Sequence, residues 1–345
     1  MEMDERKIKI LQAIINDYIM TAEPVGSRTI AKKYDLGISS ATIRNEMADL
    51  EDMGYLEQPH SSAGRRPSNK GYRLYVDKLM KIPKLTPEEE YIIKNQILAN
   101  ALFEVNTIIK QATALLSGLT NLTSIVKTPS VSKSYIKYVQ LLNIDSNNIL
   151  FVIITDSGII KNNVVRAGKN VSSDILATLS NILNARLKNL NCEQINLEVI
   201  NNLKKDLEGY EDIFNAIIPV LYESLSSDDN GEIYMEGATN IFNYPEYKDI
   251  EKARGFLSLL DNKDKISGLL NSSSNISIKI GTESFIEGAE ECSVVSAVYN
   301  VKDRPVGEIG VIGPTRMPYS KVISVLANVV RELNFILTNI YYDDK

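Results

Sequence analysis

Between residues 5 and 80 the chain carries a fixed order of signals that few folds accommodate: short helical segments, a glycine turn, a short strand and an arginine-bearing loop. Ile8, Leu11, Ile14, Ile15, Tyr18 and Ile19 recur at steps of three and four residues, so they share one face of a first helix. Pro24-Val25-Gly26 breaks that helix, and Ser27 is placed to cap a two-turn second helix carrying Ile30, Ala31 and Tyr34. Leu36-Gly37-Ile38 supplies the glycine that a tight helix-helix turn needs at positive φ. Ser39-Ser40 opens a third helix with Ile43, Met47 and Leu50 on its inner face, and Gly54 stops it. Tyr55-Leu56-Glu57 then reads as a strand entering the loop Ser61-Ser62-Ala63-Gly64-Arg65-Arg66-Pro67-Ser68. This order of parts predicts a winged helix-turn-helix.

In such a module the start of the third helix enters the DNA major groove, which predicts contacts from Ser39, Ser40, Thr42, Arg44 and Asn45. Arg44 has the geometry to donate bidentately to guanine and Asn45 to adenine, while the hydroxyls serve bases or phosphates. Arg65 and Arg66 are predicted to pair with phosphates or enter a narrow minor groove, with Lys70 and Arg73 extending the stripe. Ser27 and Arg28, at the start of the second helix, complete the predicted DNA-binding set. Taken singly, the helix is a solvated face with a serine cap and the loop a solubilising basic loop; their succession favours nucleic acid. His60 at the loop's start reads as a surface histidine.

The net charge of -6 over 345 residues argues at first against a polyanionic partner. Its distribution reverses that argument. Residues 1–85 hold 14 Lys and Arg against 12 Asp and Glu, the remainder 24 against 32, and residues 54–84 hold 7 against 2. A positive stripe on an acidic body is the pattern of a DNA-binding head on a regulatory domain. The chain has one histidine and two cysteines, Cys192 and Cys292, far apart, which predicts buried thiols and supports neither a disulfide framework nor a metal site. With no cluster of nucleophile and base either, no enzyme, cofactor or metal is expected. No uncharged run reaches the ~18 residues needed to span a bilayer, and the charged start is unlike a signal peptide, so a cytoplasmic protein without a membrane partner is expected.

Residues 71–82 look helical up to Pro83, which puts a linker near residue 84. Thr86-Pro87-Glu88-Glu89 forms a capping box opening a long helix toward Leu119. Strands follow at 135–142, 149–155 and 159–165, joined by the turns Asp145-Ser146-Asn147-Asn148 and Asp156-Ser157-Gly158. A helix starts at Ser173, residues 195–270 are mainly helical in pattern, and Asn271–Asn275 is a polar loop. Strands resume at 276–280, 292–299 and 307–312 before a closing helix over 319–341. Strands, a helical stretch and strands again predict an α+β chain whose antiparallel sheet is interrupted by an insertion.

Five ordered blocks carry a family likeness: Pro24-Val25-Gly26-Ser27, Ser39-Ser40-Ala41-Thr42-Ile43-Arg44-Asn45-Glu46-Met47, Ser62-Ala63-Gly64-Arg65, Lys70-Gly71-Tyr72-Arg73 and Gly313-Pro314-Thr315-Arg316-Met317. Together with Gly237-Ala238-Thr239-Asn240 they resemble the bacterial heat-inducible repressor family HrcA. The resemblance implies a winged-helix DNA-binding domain at 1–84 and a GAF-like domain with its linker helix at 85–192. It further implies an inserted, mainly helical dimerising domain at 193–275 and the second part of the GAF-like domain at 276–345. It implies a homodimer on double-stranded DNA, the CIRCE operator, an inverted repeat upstream of chaperone operons, with the GroEL chaperonin sustaining the active form. Two positions depart from many relatives, which carry an aliphatic residue at Arg66 and an acidic one at Asn69. Both changes make this loop more positive. Fold analogy supplies an alternative, a small-molecule-responsive winged-helix repressor with its ligand in the GAF-like domain.

Overall fold

The computed structural model describes residues 3–60, 63–98, 105–130, 134–167, 171–226, 231–270, 276–302 and 304–342. Ser61 and Ser62 of the expected wing, and the expected polar loop Asn271–Asn275, lie outside the described residues. Helix α1 (Glu5–Thr21) begins on Asp4, whose carboxylate accepts from the Lys7 amide, and is followed by α2 (Ser27–Lys33) and α3 (Ser40–Asp52). Gly37, between α2 and α3, holds φ +66° as the turn requires. Ser27 departs from expectation: Gly26 is the cap residue and Ser27 already lies in the helix. The reason is local, since Val25 is held in an antiparallel bridge to Arg65 and leaves Gly26 extended as the entry to α2. Strands β1 (Leu56–Glu57) and β2 (Arg66–Pro67) pair antiparallel, and α4 (Asn69–Leu74) runs on into a π-helical turn over Tyr75–Leu79. Ile10, Ile14, Ile30, Ile43 and Leu50, fully buried, bind this head together.

The expected capping box is present, with Thr86 and Glu89 exchanging side-chain to backbone hydrogen bonds at the start of α5 (Pro87–Leu98). The single long helix is not. A second helix, α6 (Val105–Thr120), packs back against α5. One straight helix over 87–119 would run about 50 Å, whereas the hairpin brings Ile93, Ile97, Ile108, Ala112 and Leu116 into one core.

The chain continues through β3 (Thr123–Lys127), β4 (Ile136–Asn143), β5 (Asn148–Thr155), β6 (Ile160–Arg166), α7 (Ser173–Leu187), α8 (Leu197–Asp206) and α9 (Glu211–Ser226). It then forms β7 (Ile233–Glu236), α10 (Ile250–Asp261), α11 (Lys263–Leu269), β8 (Ile276–Ile280), β9 (Cys292–Val301), β10 (Arg304–Pro314) and α12 (Tyr319–Tyr342). The result is mixed helix and sheet, as expected. A five-stranded antiparallel sheet has the order β7-β3-β10-β9-β8, and a separate three-stranded sheet the order β4-β5-β6.

That separation moves the insertion. The hairpins at 136–166, expected to share a sheet with the C-terminal strands, pack instead under α7, α8 and α9, where Val139, Phe151 and Ile153 meet Leu179, Leu183 and Leu221. The boundary expected at 192/193 falls inside this core, which contains both Leu187 and Ile195. Residues 233–270 return to the main sheet: β7 pairs with β3, and Phe256, Leu259 and Ile266 cover Ile125, Val294 and Ile312 on one sheet face. Alternating apolar residues identify a strand but not its partner, and the four-residue β7 is too short to interrupt a helical pattern.

On the other face, Val295, Tyr299, Ile309 and Val311 meet α6 and α12. Helix α12 is long and apolar enough to cross a membrane, yet Val322, Leu326, Val329, Leu333 and Leu337 are wholly buried against this sheet and its helices.

The head is not a separate globule. Tyr72, Tyr75 and Val76 sit in the same apolar cluster as Tyr319, Val322 and Ile323, with the Tyr72 and Tyr319 rings 5.9 Å apart. Around that contact Arg73 pairs with Glu283, donating from Nε to Oε1 at 2.9 Å, and from Nη2 to the Ile278 carbonyl at 2.7 Å. Burial pushes the Glu283 carboxyl up, and the Arg73 guanidinium with the Ile280 amide outweighs it, leaving the group below its ordinary value. A depressed carboxyl contributes stability that is full above the unfolded pKa and is lost as pH falls through the lower folded value. The tyrosine near-ultraviolet circular dichroism of the joint is therefore expected to hold from about pH 7 to about pH 5 and to weaken as pH falls below about pH 4. A signal weakening instead as pH rises through neutrality would contradict the assignment.

Candidate nucleic-acid interface

The candidate surface is built by making α3 both exposed on one side and immovable on the other. Ser39 caps it, accepting from the Thr42 amide at 3.1 Å and lying 2.9 Å from the Thr42 hydroxyl. Ile43, Met47 and Leu50 face inward, as their spacing predicts. Glu46 is buried among them, a carboxylate three residues after Ile43 and four before Leu50. Such a position needs a cation, and Lys7 of α1 supplies it: Lys7 Nζ lies 2.8 Å from Glu46 Oε2 and 3.1 Å from Asp49 Oδ2. The Glu46 and Asp49 carboxylates hold the Lys7 ammonium well above its ordinary pKa. Sequence reasoning passed over this network. Its signal was present, a charged residue at a helical position whose neighbours on the same face are all apolar.

Two of the motifs read from the sequence meet beside α3. Val25 and Arg65 exchange backbone hydrogen bonds at 2.8 and 2.9 Å, and a Cβ on Gly64 would lie 2.5 Å from the Val25 carbonyl. Only glycine allows the basic loop to close on the entry to α2 this tightly. The Arg65 guanidinium reaches Glu51 in the last turn of α3, at 2.7 and 2.8 Å, so loop and helix are tied to each other.

The predicted site residues divide accordingly. Ser39, Arg44, Asn45 and Arg28 are exposed, with Ser40, Thr42 and Ser27 half-buried beside them. Among the described residues Arg44, Asn45 and Arg28 make no side-chain hydrogen bond or ion pair. Arg66 pairs with Glu57 at 3.2 Å. Lys70 donates to the Met53 carbonyl at 2.8 Å and stands 4.5 Å over the Tyr55 ring. Arg73 is not brought to this surface at all: its guanidinium is spent on Glu283, Ile278 and Asp77 in the joint with the main sheet. Helical spacing cannot distinguish an arginine turned toward solvent from one turned toward a domain that is remote in sequence.

Remaining predicted features lie away from the head. Asp156-Ser157-Gly158 is a turn, with Gly158 at φ +79° and the Asp156 carboxylate accepting from the Tyr135 amide. Cys292 is buried and its thiol is pushed up to about 11 by burial, while Cys192 is half-buried; among the described residues neither forms a disulfide. A cleft of about 500 Å³ between the two sheets is lined in part by Lys127, Ser134, Asp156, Ser157 and Arg304.

Comparison with known proteins places this arrangement. The family model described as the HrcA protein C-terminal domain matches residues 106–323. The heat-inducible transcription repressor HrcA of Clostridium tetani is 59% identical over 98% of this chain and 96% of that protein. That of Clostridium botulinum is 58% identical over 98% and 99%, and that of Ruminiclostridium cellulolyticum 47% identical over 97% of each. Among solved structures, a hypothetical protein with 23% identity superposes over 98% of this chain and 100% of its own with a TM-score of 0.66, which speaks for the fold. The chain belongs to the HrcA family of heat-inducible transcription repressors.

Proposed function

We propose that residues 1–84 act as a winged helix-turn-helix that lays α3 in the major groove of an operator, with the β1–β2 loop on the adjoining backbone. One observation carries this reading: Arg44 and Asn45 stand exposed, with no side-chain partner among the described residues, on the helix that Lys7 and Arg65 fix from behind. A donor fork and an amide held in place on a helix are the means by which guanine and adenine are read. Arg28 at the start of α2 supplies phosphate contact, and Arg65, Arg66 and Lys70 act through the position of the loop and the field they create.

In this reading the main sheet with its helices is the GAF-like domain, and residues 136–226 are the inserted dimerising body. The support is the outer face of the three-stranded sheet, where the register aligns Tyr138 with Ile154 and Ile160, and Leu142 with Leu150 and Val164. Ile160 and Val164 are 59% and 61% exposed, an apolar sheet face of the kind that a second copy covers. A two-fold dimer suits an inverted repeat, which is the CIRCE operator of chaperone operons in the family resemblance. Heat then lifts repression by lowering the fraction of folded, dimeric chain in the cytoplasm, and GroEL restores that fraction when it is not occupied by other clients. Nothing in the described residues favours a ligand-controlled repressor over this reading.

Arg44→Ala is expected to weaken operator binding by about 1 to 3 kcal/mol and to relax base preference at one position, measured by titration of matched and substituted duplexes at fixed salt. Unchanged affinity would remove α3 from the groove. Ile160→Asp is expected to convert the dimer to monomer in sedimentation velocity without loss of helicity, because the side chain stands in solvent in the single chain. A dimer persisting at the same concentrations would move the interface elsewhere.

A further inference from the structure

We infer that Arg73 and Arg316 are positioning residues for operator recognition: by clamping the head to the main sheet they fix the separation and angle of the two α3 helices in the dimer. The inference rests on the reading of α3 as the groove-binding helix and of the chain as a dimer.

The two arginines close the joint from opposite sides. Arg73, on α4, grips Glu283 and the Ile278 carbonyl at one edge of the main sheet. Arg316 follows β10 and is nearly buried; it pairs with Glu246 through both nitrogens of its fork, one contact being 3.0 Å, and donates from Nη1 to the Ile19 carbonyl at 2.9 Å. Ile19 belongs to the last turn of α1, so this single side chain joins the end of the head's first helix to the loop after β10 and to the segment before α10. Its guanidinium also lies 5.1 Å over the Tyr244 ring.

Between the two clamps lies the Tyr72–Tyr319 contact. Apolar contact holds surfaces together but hardly resists rotation, since the hydrophobic effect has no direction. Arg73 bonds Glu283 across the joint through two nitrogens of its planar guanidinium, which resists rotation, while the Arg316–Glu246 pair lies within the body and aims Arg316 Nη1 at the Ile19 carbonyl of the head. The joint therefore combines an apolar bearing with two directional pins, and the pins decide where α3 points. Both guanidiniums are taken up by carboxylates and backbone carbonyls within the chain, so their effect on DNA binding runs through geometry.

A two-headed binder on a two-headed site gains from linkage only when both heads engage together. The test uses the full chain and duplexes carrying the inverted repeat from upstream of the source organism's own chaperone operon, with the spacer between half-sites native or lengthened by about 5 base pairs, half a helical turn. A single half-site duplex is the third probe. Wild type is expected to lose about 100-fold in affinity on the lengthened spacer. The double variant Arg73→Met, Arg316→Met is expected to lose less than about tenfold, while its half-site affinity stays within about twofold of wild type. Should that variant fail to fold, Glu283→Gln with Glu246→Gln takes the charge from both carboxylates at constant volume and weakens the two pins. Retention of the wild-type spacing loss by a folded clamp variant overturns the inference. Arg44→Ala serves as the control and is expected to bind more weakly at every spacing with the wild-type ratio intact. If wild type itself is indifferent to spacing, or Arg44→Ala binds as wild type does, it is the dimer or the groove reading that fails, whatever the clamp variants do.

Discussion

The packing of Tyr72 against Tyr319 at the start of α12, inside an apolar cluster that head and main sheet share, is the contact on which the rest of the molecule turns. Without it the head would be an autonomous small domain on a tether, free to present α3 in any direction. With it, the head and the five-stranded sheet share one apolar core, and Ser324 donating to the Pro83 carbonyl at 2.7 Å fastens even the linker to α12. A shared core makes the position of α3 a property of the whole fold. It also means that heat, in loosening the body, loosens the head, which is the coupling that a heat-inducible repressor requires.

Inside the head a second constraint operates in a different physical form. Glu46 is buried on the apolar face of α3, and its charge is tolerable only because Lys7 lies against it, with Asp49 and Arg6 completing the network. Removing one member of such a network leaves the remaining charge uncompensated, whereas an apolar pair in the same place would be no less stable. The network's contribution is specificity of placement. It sets the roll of α3 about its own axis, and so decides that Arg44 and Asn45 face outward.

Much of this was legible from the residues. The helices of the head, the Gly37 turn, the inward set Ile43, Met47 and Leu50, the capping box at Thr86 and most strands lie where periodicity and turn chemistry place them, because those signals are local. What escaped was always a matter of partners at long range. The strands at 136–166 were recognisable as strands, but nothing in their alternation says that they shelter under α7 to α9 instead of joining β9 and β10. Arg73 has the spacing of a basic stripe and the structure of a domain clamp, because Glu283 lies 210 residues away. Lys7 lies in a charged stretch at the start of the chain, and its partner Glu46, 39 residues on, comes to it only when α3 packs against α1.

If head and main sheet are one cooperative unit, native-state hydrogen exchange in rising denaturant will show it directly. The slowest amides of α1 and α3 are predicted to merge with those of β9 and β10 into a single opening at the same free energy. The body at 136–226, with its own core, is free to open separately. Exchange of the α1 and α3 amides through an independent opening, well below that of β9 and β10, would contradict the shared core on which everything else depends.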